Sequence, residues 1–218
     1  MKHNCTIITI AQQKGGAGKT TIAAHLGVAL AQKRNRVAVI DIDPQGSLKH
    51  WYNIREEKFG EEYTGIYFSS TAGWKINSEI MSLKRSYDYI IIDSPPHTET
   101  DAKSVMRAAN LVIIPVQPSP TDLWATKATV DLVENERIPY CVLMNRVTPN
   151  SKMAQDIASK FDNLLTAHLG NRVAFAACML EGKCVTETQP KSAAADEIKQ
   201  IVDEIQKKLK KAELKKAA

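Results

Sequence analysis

Residues 12–21 read Gln12-Gln13-Lys14-Gly15-Gly16-Ala17-Gly18-Lys19-Thr20-Thr21. They follow an apolar, β-branched run, CTIITI (5–10), and lead into an alanine-rich stretch, 19–33, with helical character. A glycine loop between a strand and a helix turns several backbone N–H groups toward one point, and the helix N terminus adds the positive end of its dipole. Both features favour an anion. Lys19 is then placed to reach β- and γ-phosphates, and the Thr20 hydroxyl to ligate Mg2+. The chemistry that fits is a nucleoside triphosphate, cradled by Lys14, Gly15, Gly16, Ala17, Gly18, Lys19, Thr20 and Thr21.

Working outward, RVAVIDI (36–42), DYIIID (88–93), NLVIIPV (110–116) and YCVLMN (140–145) repeat the pattern of the first strand. Each is apolar on both faces, the mark of a parallel sheet covered on both sides. Helical stretches near 47–57, 101–108, 121–135 and 151–166 alternate with them. The fold class expected is α/β, a doubly wound, mostly parallel sheet with right-handed crossovers. Residues 58–75, rich in glycine, serine and threonine, read as irregular, and NRVAFAA (171–177) as a possible last strand. From Ser192 onward Ile198, Ile201, Val202, Ile205 and Leu209 form one helical apolar stripe. We expect one domain over 1–206 and a lysine-rich tail over 207–218.

Two strands end in acids, on the side where such sheets bind ligands. Asp41-Ile42-Asp43-Pro44-Gln45-Gly46 closes one, with Pro44 and Gly46 forcing a turn. Either acid also suits a cap on the helix that follows. Tyr89-Ile90-Ile91-Ile92-Asp93-Ser94-Pro95-Pro96 closes the other in a Walker B pattern, with Asp93 binding magnesium through a water.

The loop departs from G-x-x-x-x-G-K-[ST] in having Gln13 at the first glycine and an extra lysine, Lys14. It resembles the deviant loop K-G-G-x-G-K-[ST] of the ParA/MinD family of ATPases, and D-x-D-P-Q-G is that family's motif at 41–46. The resemblance runs from Ile7 to about Ile205, including Gly182-Lys183 and Pro190-Lys191-Ser192. It is nearest to short ParA proteins that lack a helix-turn-helix region. It implies that Lys14 acts across a dimer interface on the partner's nucleotide, that Asp43 positions or activates the attacking water, and that Asp41 serves the magnesium shell through water. It also implies that Ser94-Pro95-Pro96 senses the γ-phosphate. The stretch 115–122 would begin a helix at the dimer interface, though Thr121 or Asp122 is equally a plain helix cap. Asn145 and Arg146 stand where relatives contact adenine; a turn residue and a solvated cation are the alternatives.

The chain of 218 residues carries a net charge of +5, and residues 207–218 hold six lysines and one glutamate, so the other 206 residues sum to zero. A lysine run is a solvated face, a phosphate-backbone contact or an anionic-lipid contact. By resemblance the chain is an ATP-dependent homodimer that binds DNA without sequence preference. The contacts would be Arg172, Lys183, Lys191, Lys207, Lys208, Lys210 and Lys211. Its hydrolysis would be stimulated by a cargo-attached partner protein, the cargo being a plasmid, a chromosome region or a protein assembly.

A MinD-like membrane switch, whose relatives likewise end in an amphipathic helix, is the alternative, weakened by a tail without Phe, Trp or a long apolar run. A metabolic or cluster-bearing enzyme is a further one, weakened because Cys5, Cys141, Cys178 and Cys184 form no C-x-x-C pair. The apolar runs are too short to span a bilayer and the N terminus lacks a signal-peptide layout, so a cytoplasmic protein is expected; the resemblance implies that it is nucleoid-associated.

Overall fold

The computed structural model describes residues 5–96 and 99–217. The parallel strands β1 (Thr6–Ile10), β2 (Val37–Asp41), β3 (Tyr67–Ser70), β4 (Tyr89–Asp93), β5 (Leu111–Val116) and β6 (Tyr140–Met144) form one sheet in the order β3-β2-β4-β1-β5-β6. Alternation along each central strand splits the core in two. Ile8, Val39, Ile91, Ile113 and Leu143 face one side, where α1 (Lys19–Gln32), α2 (Ser47–Phe59) and α9 (Ala193–Ala217) pack. Ile90 and Ile92 face the other, against α3 (Ile76–Leu83) and α4 (Glu99–Ala108). Val112 and Val142 do the same against α5 (Pro120–Asn135) and α6 (Lys152–Ala158). This is the doubly wound architecture that apolar runs on both strand faces require.

α1 is buried over Ile22–Leu30 on nearly every side. Its alanines and Gly27 let it lie close to the sheet: a Cβ on Gly27 would come within 2.8 Å of a Val39 methyl carbon. β1 lies between β4 and β5, so the chain winds outward from it in both directions, and the loop after β1 opens at that switch point.

Several expectations change. Part of the stretch read as irregular is β3, completed by pairing with β2, and α3 follows it. Residues 173–179 are a short helix, α7 (Val173–Met179), and α8 (Val185–Thr188) comes after it. α6 stops at Ala158 because the next segment turns to cover β6. There Val142 N–H donates to Asn163 O, Leu165 N–H to Val142 O and Leu169 N–H to Met144 O. The outer backbone groups of β6 are thereby satisfied, which a helix through 166 would have left bare. α9 runs unbroken through the 206/207 boundary. Its stripe of Ile198, Ile201, Val202 and Ile205 is buried in the core, with Leu209 packed at its margin.

Candidate nucleotide site

Three strand ends converge on the glycine loop. Register pairs Asp41 with Asp93 across β2 and β4, and Ile10 with Asp93 across β1 and β4. The loop then rises from β1 and drops into α1 through Gly18, whose φ of 96° only glycine adopts without strain. A Cβ there would lie 2.4 Å from Asn145 Nδ2. That amide donates to the Ala17 carbonyl at 2.8 Å, and Asn145 Oδ1 accepts from Arg146 N–H. Asn145 thus ties the end of β6 to the loop. Arg146 is exposed, in a left-handed backbone conformation. Thr21, Asn145, Arg146, Arg172 and Phe175 line a small cleft beside Gly18.

Inside the loop, Lys19 is buried, and desolvation lowers its pKa while Asp93 and Asp43 pull it back up. Thr20 Oγ1 donates to Asp93 Oδ2 at 2.6 Å. Asp93 is 1% exposed and, among the described residues, its Oδ1 has no hydrogen-bond partner. Burial pushes its carboxyl up to about 7, with the Thr20 hydroxyl and Lys19 opposing the shift. A buried carboxylate oxygen without a partner, beside a hydroxyl and a phosphate loop, is the oxygen donor set that magnesium takes when phosphates and waters complete its shell. Among the described residues no group of three His, Cys, Asp or Glu is arranged to hold a metal ion.

Asp41 is fully buried, and burial raises its pKa. Its carboxylate accepts Asp43 N–H at 2.9 Å and Lys49 N–H at 3.0 Å. It therefore shapes the turn that presents Asp43. Asp43 is half-buried and accepts Gln45 N–H through Oδ1. The turn brings its side chain close enough to influence Lys19.

Lys14 reaches sideways within its own chain. Its Nζ lies 3.0 Å from Thr121 Oγ1 and 2.5 Å from Asp122 Oδ2. The cap of α5 is Ser119, not Thr121 or Asp122: Ser119 Oγ accepts Asp122 N–H, and Pro120 fills the first helical position, where no N–H is needed. A second tether joins the same segment to the loop, Gln117 Nε2 to Gly16 O at 2.7 Å. A third lies beneath it: buried Gln12 donates to Pro115 O and Thr126 Oγ1 and accepts from Thr129 Oγ1. Sequence reasoning passed over Gln12, Gln117, Thr126 and Thr129. The available signal was a polar residue at a buried strand end, Gln12, facing threonines at helical spacing.

The basic residues do not gather in one place. Arg172 edges the cleft by Gly18 and bonds Glu197 at 2.7 Å. Lys183 lies 3.5 Å from Glu181, and Lys191 is exposed ahead of α9. Lys207, Lys208, Lys210 and Lys211 lie toward the opposite end of the sheet. Gln206 meets Tyr89 at the start of β4, and Lys208 flanks Leu111 and Tyr140 at the starts of β5 and β6.

The model of the CobQ/CobB/MinD/ParA nucleotide binding domain matches residues 8–217. The chain belongs to this family. Among ParA/MinD relatives, the "Maintenance of carboxysome distribution protein A" of Halothiobacillus neapolitanus is 30% identical over 91% of this chain and 95% of its own. The "Chromosome-partitioning ATPase Soj" of Thermus thermophilus is 25% identical over 94% and 97%. In structure, the septum site-determining protein MinD of Pyrococcus horikoshii, complexed with Mg-ADP, superposes with a TM-score of 0.77, 23% identity, and 92% and 96% coverage. The ParA/MinD fold is thus shared over most of the chain. Among the described residues no helix is long and apolar enough to cross a membrane.

Proposed function

We propose that this ParA/MinD-family chain is a magnesium-dependent ATPase that dimerises on ATP, binds DNA without sequence preference and positions a cargo. That cargo is a plasmid, a chromosome region or a protein assembly, and a cargo-attached partner stimulates hydrolysis. The observation that carries the ATPase reading is the contact of Thr20 Oγ1 with Asp93 Oδ2, with Asp93 Oδ1 buried and unpartnered beside it. Thr20 and Asp93 would hold the metal. Asp41, with its oxygens already accepting backbone N–H groups, would serve the shell through water. Magnesium bound there neutralises charge on the β- and γ-phosphates.

The protein groups divide the remaining work. Residues 15–21 bind and orient the phosphates of the chain's own nucleotide, Lys14 reaches the partner's, and Asp43 orients the attacking water. Lys14 and Lys19 supply positive charge where negative charge grows on the transferring group. Thr21, Asn145 and Arg146 border the base. For DNA, the lysine-rich end of α9 carries the surplus charge, since Arg172 is matched by Glu197. The apolar stripe of α9 is buried in the core and is not free to enter a bilayer, which weighs against a membrane anchor; the DNA-facing, cytoplasmic and nucleoid-associated role rests on the family and on the lysine-rich end of α9. The test is phosphate release with ATP and magnesium, with co-sedimentation on random-sequence duplex DNA and on anionic liposomes. ATP-dependent pelleting with DNA supports the reading. Pelleting with liposomes alone, or no phosphate release, overturns it.

A further inference from the structure

The two edges of the sheet are treated differently. β6 is sealed by backbone hydrogen bonds from residues 163–169. β3 pairs with β2 on one side only, and among the described residues nothing pairs with its outer backbone groups. A bare edge is a template for another strand, and proteins normally blunt it with lysine, proline or a covering segment. Tyr67-Phe68-Ser69-Ser70 carries neither a lysine nor a proline.

A cleft of about 800 Å³ follows this edge. Its two flanks are aromatic: Phe68 stacks on Tyr52 with ring centroids 4.6 Å apart, and Tyr67 meets Tyr87 at 5.3 Å. Tyr67 is 41% exposed. Beside the N-terminal end of β3 stand Glu56, Glu61 and Glu62, which join no ion pair among the described residues. Of the two cations on the rim, Arg36 is bound to Asp88 and Lys49 sits at the far end, in the first turns of α2. The groove therefore offers backbone donors and acceptors, ring faces for alternate side chains and an unneutralised acidic end.

We propose that the open edge of β3 is a docking site for an extended, lysine- or arginine-bearing segment of a partner protein, added to the sheet as a further strand. Main-chain pairing supplies the affinity, and the acidic end selects the charge. The far end of the groove lies next to the ATPase turn, because Thr71 N–H donates to Asp41 O.

The test uses the full chain without nucleotide, so its failure leaves the ATPase reading untouched. The probe is a fluorescein-labelled Lys-Val-Lys-Val-Lys-Val-Lys peptide followed by anisotropy. Three comparisons decide the matter: its Glu-Val counterpart, a version N-methylated along one edge, and the triple variant Glu56→Gln, Glu61→Gln, Glu62→Gln, in which Glu61 and Glu62 are exposed and Glu56 is half-buried. Saturable binding is expected. The triple variant should weaken it by about tenfold, as should the loss of strand N–H donors on a wild-type chain whose folding is not in question. The Glu-Val peptide should not bind. Hydrogen exchange at 67–70 should slow when the lysine peptide is bound. No saturable binding overturns the proposal, as does binding indifferent to N-methylation or to the triple variant. A nucleotide-independent dimer that the peptide cannot dissociate would also overturn it, by giving the edge to a second copy of the chain.

Discussion

Lys14 Nζ sits 2.5 Å from Asp122 Oδ2, a residue 108 positions away and 3% exposed. The lysine proposed to act on a partner's nucleotide is, in the single chain, held by its own α5. Acting in trans therefore requires this pair to open, with Asp122 left to Ser119 and to its own helix N terminus. Lys14→Ala should keep ATP affinity within about threefold of wild type while turnover falls by about 100-fold or more, the pattern of a group that acts only in the transition state. Filter binding and phosphate release measure the two. Wild-type turnover in the variant would remove Lys14 from the mechanism.

Lys19→Ala and Asp43→Ala should separate binding from chemistry. Lys19 is buried at the base of the loop, so its loss should abolish ATP binding in equilibrium dialysis. Asp43 is half-buried, off the loop itself, so Asp43→Ala should bind ATP, accumulate as a dimer in light scattering and lose hydrolysis by about 100-fold. Turnover within a few-fold of wild type would reduce Asp43 to a turn residue.

Two glycines of one loop should respond oppositely. Gly15 has nothing within 4 Å of an added Cβ. Gly15→Val should therefore leave the single chain folded and ATP-binding, and block only the close approach of a second subunit. Gly18→Ala meets Asn145 Nδ2 at 2.4 Å in a left-handed backbone and should lose ATP binding outright. Asn145→Ala, which frees the Ala17 carbonyl, should weaken ATP by about tenfold, the cost of one buried hydrogen bond. Isothermal titration compares all three, and an unaffected Gly18→Ala would mean that the loop is held differently.

His25 sets an acid limit on stability. It is fully buried between the Thr21 carbonyl, which its Nδ1 faces at 2.8 Å, and the Phe175 ring. Desolvation pushes its pKa from 6.5 down to about 4. Between those values the unfolded chain binds the proton and the folded chain does not. Stability is therefore full above about pH 6.5 and falls by ~3 kcal/mol as pH drops toward 4. His25→Gln should flatten that part of the urea-denaturation profile. An unchanged slope would assign the acid loss to other groups.

Deleting 207–218 should flatten the salt dependence of DNA binding between about 50 and 200 mM, because released counterions scale with phosphate contacts. Arg172→Ala should change the slope less, since that guanidinium is already committed to Glu197. Binding of the Asp43→Ala protein to a random duplex across a salt series tests both, and equal slopes with and without the lysine end would locate the contacts elsewhere.

Local sequence by itself determined the phosphate loop, the strands that end in Asp41 and Asp93, and the layered architecture. Each is written in neighbouring residues: glycines that free a backbone, a lysine and threonine at a helix start, β-branched runs without a polar face. It also indicated a helix from about Ser192, through a stripe at helical spacing that ends at Leu209; its continuation through the lysine run is seen only in the structure. Tertiary structure decided the rest. Tyr67–Ser70 is too short to declare itself, and becomes a strand because β2 offers it a ladder. Residues 163–169 run extended because the outer backbone of β6 must be satisfied. The residues that hold the loop, Asn145, Gln117 and Asp122, lie about a hundred positions from what they touch. Their local sequence reads as turn and cap, and only the parallel stacking of β1, β5 and β6 brings their side chains to the phosphate loop.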